Sequence, residues 1–122
     1  MKTCKICGES KSETEFYKNG KNYRTECKDC TDIKQRAAAF GITVQDLQKM
    51  YIDQNFRCAI CREPCEVYKN LSIDHDHKCC SSRARSCGKC VRGLLCAKCN
   101  HGLGSFRDNP ELLRRAIVYL SK

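Results

Sequence analysis

Asp74, His75, Asp76 and His77 alternate two carboxylates with two imidazoles inside the run Ser72-Ile73-Asp74-His75-Asp76-His77-Lys78. Carboxylate oxygens suit a hard divalent cation, and a neutral imidazole can take up a proton near pH 7. The same residues could equally decorate a solvated strand. What surrounds them argues for chemistry: the 122-residue chain carries thirteen cysteines.

Five Cys-x-x-Cys knuckles are present: Cys4/Cys7, Cys27/Cys30, Cys58/Cys61, Cys87/Cys90 and Cys96/Cys99. Two residues between thiols let a tight turn aim both sulfurs at one tetrahedral ion, and zinc is the usual occupant. Cys4, Cys7, Cys27 and Cys30 form one self-contained set with 19 residues between the pairs. A hairpin turning at Asn19-Gly20 would make this unit a zinc ribbon. Cys58, Cys61, Cys96 and Cys99 form a second set, and the 34 residues between its pairs contain the Asp-His run. Inside that insertion, Cys79, Cys80, Cys87 and Cys90 could close a third site, although adjacent cysteines rarely serve one ion well. Cys65 could replace one of the adjacent pair; otherwise it is left over. A redox dithiol is the rival account of each knuckle, and five in one short chain favour metal.

The elements that must position these groups can be read in outline. Thr31–Phe40 carries good helix formers, and Gly41 suits a C-cap. Thr43 with Asp46 reads as a capping box, with Ile42 and Leu47 placed as a hydrophobic staple. Val44, Leu47, Met50 and Tyr51 then share a core-facing side. "CEVYK" (65–69) and "LSID" (71–74), joined through Asn70, suggest a hairpin leading into the Asp-His run. "CNHGLGSF" (99–106) reads as a short helix or turn weakened by Gly102 and Gly104. Asn109-Pro110-Glu111 opens the last helix, with Leu112, Leu113, Ala116, Ile117 and Leu120 as its expected buried stripe.

Zinc in the second set would clamp the start of a hairpin to the start of a helix. His75 on a strand would then face Asn100, which directly follows Cys99, in a ββα-metal arrangement. No apolar run approaches a membrane span of about 18 residues, and the N-terminus lacks a signal peptide's apolar stretch. The expectation is a soluble, cytoplasmic protein with reduced thiols. With no Trp, four Phe and a mean hydropathy of −0.60, the core should be thin and metal-stapled. The formal charge of +9 favours a polyanionic partner, but three four-thiolate zinc sites would lower it to roughly +3. More telling is Lys78–Lys98, where Lys78, Arg83, Arg85, Lys89, Arg92 and Lys98 occur with no acid between them.

"CAIC" (58–61), "IDHDH" (73–77), "VRGLLCAKCN" (91–100) and "NPELLRRAIVYL" (109–120) together resemble the phage recombination endonuclease VII family, within the HNH nucleases. The resemblance covers roughly residues 42–121. It implies a treble-clef-like HNH (ββα-metal) domain over 41–122; with the N-terminal zinc ribbon and linker helix read over 1–40, the expectation is a small α+β zinc-stabilised protein. It implies metal-dependent hydrolysis of DNA phosphodiesters, in host bacterial cytoplasm if the chain is phage-encoded. Asp74 and Asn100 would hold Mg2+ or Mn2+, and His75 would be the general base. His77, Arg83, Arg85, Lys89, Arg92 and His101 would contact nucleic acid. Cofactors are then two structural zinc ions, or three with Cys79–Cys90, plus the catalytic ion. The partner is duplex or branched DNA; the oligomeric state stays open, a dimer included. Leu103 stands where a junction-resolving member has Glu, so cutting or nicking of duplex DNA is the safer expectation than junction resolution. The rivals are a non-catalytic, zinc-bearing nucleic-acid-binding module and a structural zinc protein bridging an assembly.

Overall fold

The computed structural model describes residues 1–65 and 71–122 of a small α+β protein. Its N-terminal part holds β1 (Lys2–Thr3) antiparallel to β2 (Ser10–Lys11) and β3 (Phe16–Asn19) antiparallel to β4 (Asn22–Cys27). Cys4, Phe16 and Cys27 form a minor core there, with Tyr23 and Cys30 packed against it. The expected turn at Asn19-Gly20 is present, with Gly20 at φ +67°.

Cys27 is the N-cap of α1 (Lys28–Ala39), so Cys30 lies in that helix's first turn. The helix ends in a Schellman motif: Gly41 N donates to Ala38 O at 3.1 Å and Ile42 N to Ala37 O at 3.0 Å, with Gly41 at φ +72°. Two residues later Thr43 caps α2 (Val44–Asp53) through the expected reciprocal box with Asp46. The main core gathers Ala37, Leu47, Tyr51, Cys58, Cys65, Leu71, Ile73, Leu94 and Leu95, with Val44 and Met50 packed against it. Because α1 supplies Ala37, Ile33 and Phe40 to this core, the linker helix is part of the body that carries the site.

β5 (Ser72–His75) pairs antiparallel with β6 (Val91–Leu95), and α3 (Ala97–Ser105) follows directly. The expected "CEVYK" strand lies outside the described residues, apart from Cys65. The strand facing the start of the Asp-His run is thus Val91–Leu95, which sequence reading left unassigned. Gln54, just past α2, secures it: its amide donates to Leu94 O and accepts from Leu94 N, both at 3.0 Å. The side chain thereby acts as a short surrogate strand along β6.

α3 runs through both Gly102 and Gly104 to Ser105. Arg107 and Asp108, at φ +58° and +52°, turn the chain into α4 (Pro110–Leu120), which Asn109 caps as expected. The expected buried stripe of α4 is a correction. Leu112, Leu113 and Ala116 are half-buried, whereas Ile117 and Leu120 are 64% and 79% exposed. Helical periodicity marks an apolar face, but among the described residues only the first half of this face has a neighbour to pack on. Among the described residues, no helix is long and apolar enough to cross a membrane.

Candidate active site

Successive residues on a regular strand point to opposite faces, so Asp74 and His75 could share a site only through an irregularity. The ladder is irregular at this step, with the extra residue on the partner strand. Asp74 pairs with Gly93 and His75 with Val91, leaving Arg92 as the extra residue on β6. Both side chains are buried, at 9% and 2% exposure.

The His75 ring is held on several sides. Nε2 lies 2.8 Å from Ser82 O and 3.0 Å from Cys80 O. Carbonyl oxygens only accept, so Nε2 carries the hydrogen and Nδ1 keeps the ring's lone pair in the neutral form. The Phe40 ring lies 5.6 Å away, centroid to centroid, and the His77 ring meets His75 edge-on at 4.5 Å. His75 and His77 therefore lie together, although β5 ends at His75 and His77 belongs to the turn that follows. Asp76 serves the backbone: its carboxylate accepts from Lys78 N, its carbonyl from the amides of Cys79 and Cys80, and its amide donates to Cys90 O.

Asp74 is not a free carboxylate. Arg92 Nε donates to Oδ2 at 2.8 Å and Nη2 to Oδ1 at 3.2 Å, a bidentate pair. Nη2 also reaches His75 O at 3.2 Å and Asp108 Oδ2 at 3.4 Å. The hydrogen bonds to Asp74, chiefly, hold the guanidinium above its ordinary pKa, so it is fully charged. Asp108, whose Oδ2 is also 3.9 Å from His77 Nδ1, is a site residue that sequence reading missed. Asp tolerates the left-handed conformation, and the "RDNP" turn was the signal available for it. Asn100 is half-buried in the first turn of α3, which packs on β5. His101 beside it is exposed, as are Arg83, Arg85 and Lys89 in the 76–90 loop.

All twelve cysteines of the three expected sets come together. In each of Cys4/Cys7/Cys27/Cys30, Cys58/Cys61/Cys96/Cys99 and Cys79/Cys80/Cys87/Cys90, the four sulfurs lie within 4.8 Å of one another. Cys61–Cys96 is 3.7 Å and Cys79–Cys87 3.8 Å, close to the roughly 3.8 Å edge of a tetrahedron with 2.3 Å zinc–sulfur bonds. All three sets could hold zinc. Cys65 sits in the main core, outside these sets. The first two share a plan: Cys4 N bonds Glu9 O and Cys58 N bonds Glu63 O, and each second pair begins at a helix N-cap, Cys27 or Cys96. Burial alone would raise the Cys58 thiol, but amides of Cys96, Cys61 and Ile60 aimed at its sulfur lower it to about 6. Cys4 reaches about 6 against its own burial through the amides of Cys27, Cys7 and Ile6. Each set thus contains one thiol predisposed to be a thiolate ligand.

Residues 31–122 match the model of the recombination endonuclease VII family. The chain belongs to that family. Among curated proteins it is similar to the Gene 59 protein of Mycobacterium phage D29, 44% identical over 86 residues, covering 70% of this chain and 47% of the phage protein. The Gene 59 protein of Mycobacterium phage L5 is 43% identical over 84 residues, 68% of this chain and 46% of that one. The chain thus spans about half the length of these curated relatives. Among solved structures, the ββα-Me type II restriction endonuclease Hpy99I aligns at 28% identity with a TM-score of 0.41, over 97% of this chain and 63% of that one. The family match begins in α1 and leaves the β1–β4 part outside it.

Proposed function

We propose that this endonuclease VII family chain is an HNH-type, metal-dependent DNA endonuclease. What supports the reading is a buried carboxylate and a buried imidazole, Asp74 and His75, at the bulged end of β5, with Asp108 within reach both of the Arg92 that holds Asp74 and of the His77 that meets His75. The donor chemistry fits a catalytic ion: the Asp74 carboxylate and Asn100 amide oxygens are hard ligands that would hold Mg2+ or Mn2+. Such an ion, when bound, supplies positive charge for the phosphate and the leaving oxygen.

The chain's own residues would do the rest. His75, with its hydrogen on Nε2, takes the proton of the attacking water on Nδ1. Arg92, released from Asp74 once a cation shares that carboxylate, turns to a phosphate oxygen. Arg83, Arg85 and Lys89 contact neighbouring phosphates, and His77 and His101 flank them. Zinc in the cysteine sets holds the strands and α3 in place, and the partner is duplex or branched DNA in bacterial cytoplasm.

One observation favours the rival, a non-catalytic nucleic-acid-binding zinc module: Arg92 already neutralises Asp74. Supercoiled plasmid separates the two. Wild-type protein with Mg2+ should nick it, and His75→Ala should be about 100-fold slower or worse. Uncut plasmid that still shifts on a gel would select the binding module. Equal nicking by His75→Ala would remove this histidine from the chemistry.

A further inference from the structure

We propose that the Cys79/Cys80/Cys87/Cys90 set is a metal-held clamp for the His75 ring, so that filling this one site governs cleavage while leaving DNA binding intact. The proposal rests on the reading of His75 as the base. Residues 76–90 contain no helix or strand, yet two of their carbonyls, at Cys80 and Ser82, meet Nε2 of a nearly inaccessible histidine.

Something must fix those carbonyls. At one end the Asp76 turn does so through the amides of Cys79 and Cys80, at 3.0 and 3.1 Å. At the other, Ser86 donates from its amide to Ala39 O and from its hydroxyl to Phe40 O, at 3.2 and 2.7 Å. Gly88 lies so close to the α1–α2 turn that a Cβ on it would stand 2.2 Å from Gly41 O. Between these anchors Ser81–Arg85 is exposed, with a local bond from Ala84 N to Ser82 Oγ. Four sulfurs within 4.8 Å, two contributed from each side of that stretch, are placed to close it. A zinc ion there would tie Cys80, whose carbonyl is one of the two that accept from the ring, directly to the anchored Cys87–Cys90 knuckle. The cysteines are positioning residues: they never touch substrate, and they act through the ring.

The test uses the full chain, with Cys87→Ser and Cys79→Ser beside Cys87→His, which retains a ligand. Zinc per chain should fall from about three to about two in the Ser variants and return in Cys87→His. DNA affinity, measured with Ca2+ in place of Mg2+, should hold within about twofold. Single-turnover cleavage should fall about 10- to 100-fold in the Ser variants and recover in Cys87→His. Two-bond 1H–15N spectra should show His75 in one Nε2–H form in wild type and in mixed forms in the Ser variants. A Ser variant that loses the third zinc but keeps the His75 spectrum and cleavage overturns the clamp. So does loss of all three zinc ions together, which would make the set part of the global fold, and so does wild type holding only two. Normal cleavage by His75→Ala instead overturns the base assignment, and the spectra still report on the clamp.

Discussion

Arg92 donates to both Asp74 oxygens and also reaches Asp108, so two carboxylates compete for one guanidinium while a cation would compete for Asp74. Opposite effects on metal affinity follow from the two ends of this chain. Arg92→Gln removes the competitor and should tighten Mn2+ binding about two- to fivefold, whereas Asp108→Asn leaves Arg92 wholly to Asp74 and should weaken it by a similar factor. Mn2+ paramagnetic resonance titration reads both, and equal affinities would show that Arg92 does not guard the carboxylate. Cleavage should fall in Arg92→Gln despite the tighter metal, because the phosphate contact goes with it. At this scale the sequence was informative about identity and weak about contact. Knuckle spacing announced two sulfur sets and the Cys87/Cys90 half of the third, whose other half is the adjacent pair Cys79-Cys80, and period-two alternation put His75 and His77 on one side although His77 lies past the end of β5. The Asp74–Arg92 pair was hidden because it depends on which residue of β6 is extra, a matter of register between segments 15 residues apart. Asp108 was hidden because two left-handed residues bring it back to the site.

The helices announced themselves locally: the Thr43–Asp46 box, the Gly41 Schellman turn and the Asn109 cap all lie within a few residues of what they satisfy. β6 did not, since Gly93 interrupts its short apolar run and much of its support is the distant Gln54. Gln54→Ala should leave Leu94 N short of its partner, while Leu94 O keeps the amide of Ala59, and cost about 1–3 kcal/mol in denaturant unfolding. An unchanged midpoint would show that water replaces the amide at no cost. In α3 the opposite change should help. A Cβ on Gly102 meets nothing within 4 Å, so Gly102→Ala should stabilise the protein by about 0.5–1 kcal/mol. If the same variant loses DNA affinity, the open space beside Gly102 is used by the duplex.

For the whole molecule, net charge was a poor guide until the thiolates were counted, and distribution carried the argument. Arg83, Arg85 and Lys89 stand exposed on the loop that reaches His75. Replacing Arg83 and Arg85 together with Ala should flatten the plot of log affinity against log salt by about 1.8 if each neutralises one duplex phosphate. An unchanged slope would put the duplex on another face. The α4 stripe marks the limit of sequence reading at this scale: periodicity told which residues form a face, and only the surrounding structure could tell that its second half stands exposed.

The sulfur sets are also nested like brackets, with Cys79–Cys90 wholly inside the span from Cys61 to Cys96. Six residues separate Cys80 from Cys87, against 34 between Cys61 and Cys96. Bringing the outer ends together costs about 1.5 kcal/mol more in chain entropy than closing the inner ones. During folding the loop that grips His75 can therefore close early and by itself. Once it has closed, the outer pair has less free chain to order, so assembly can run from the His75 loop outward.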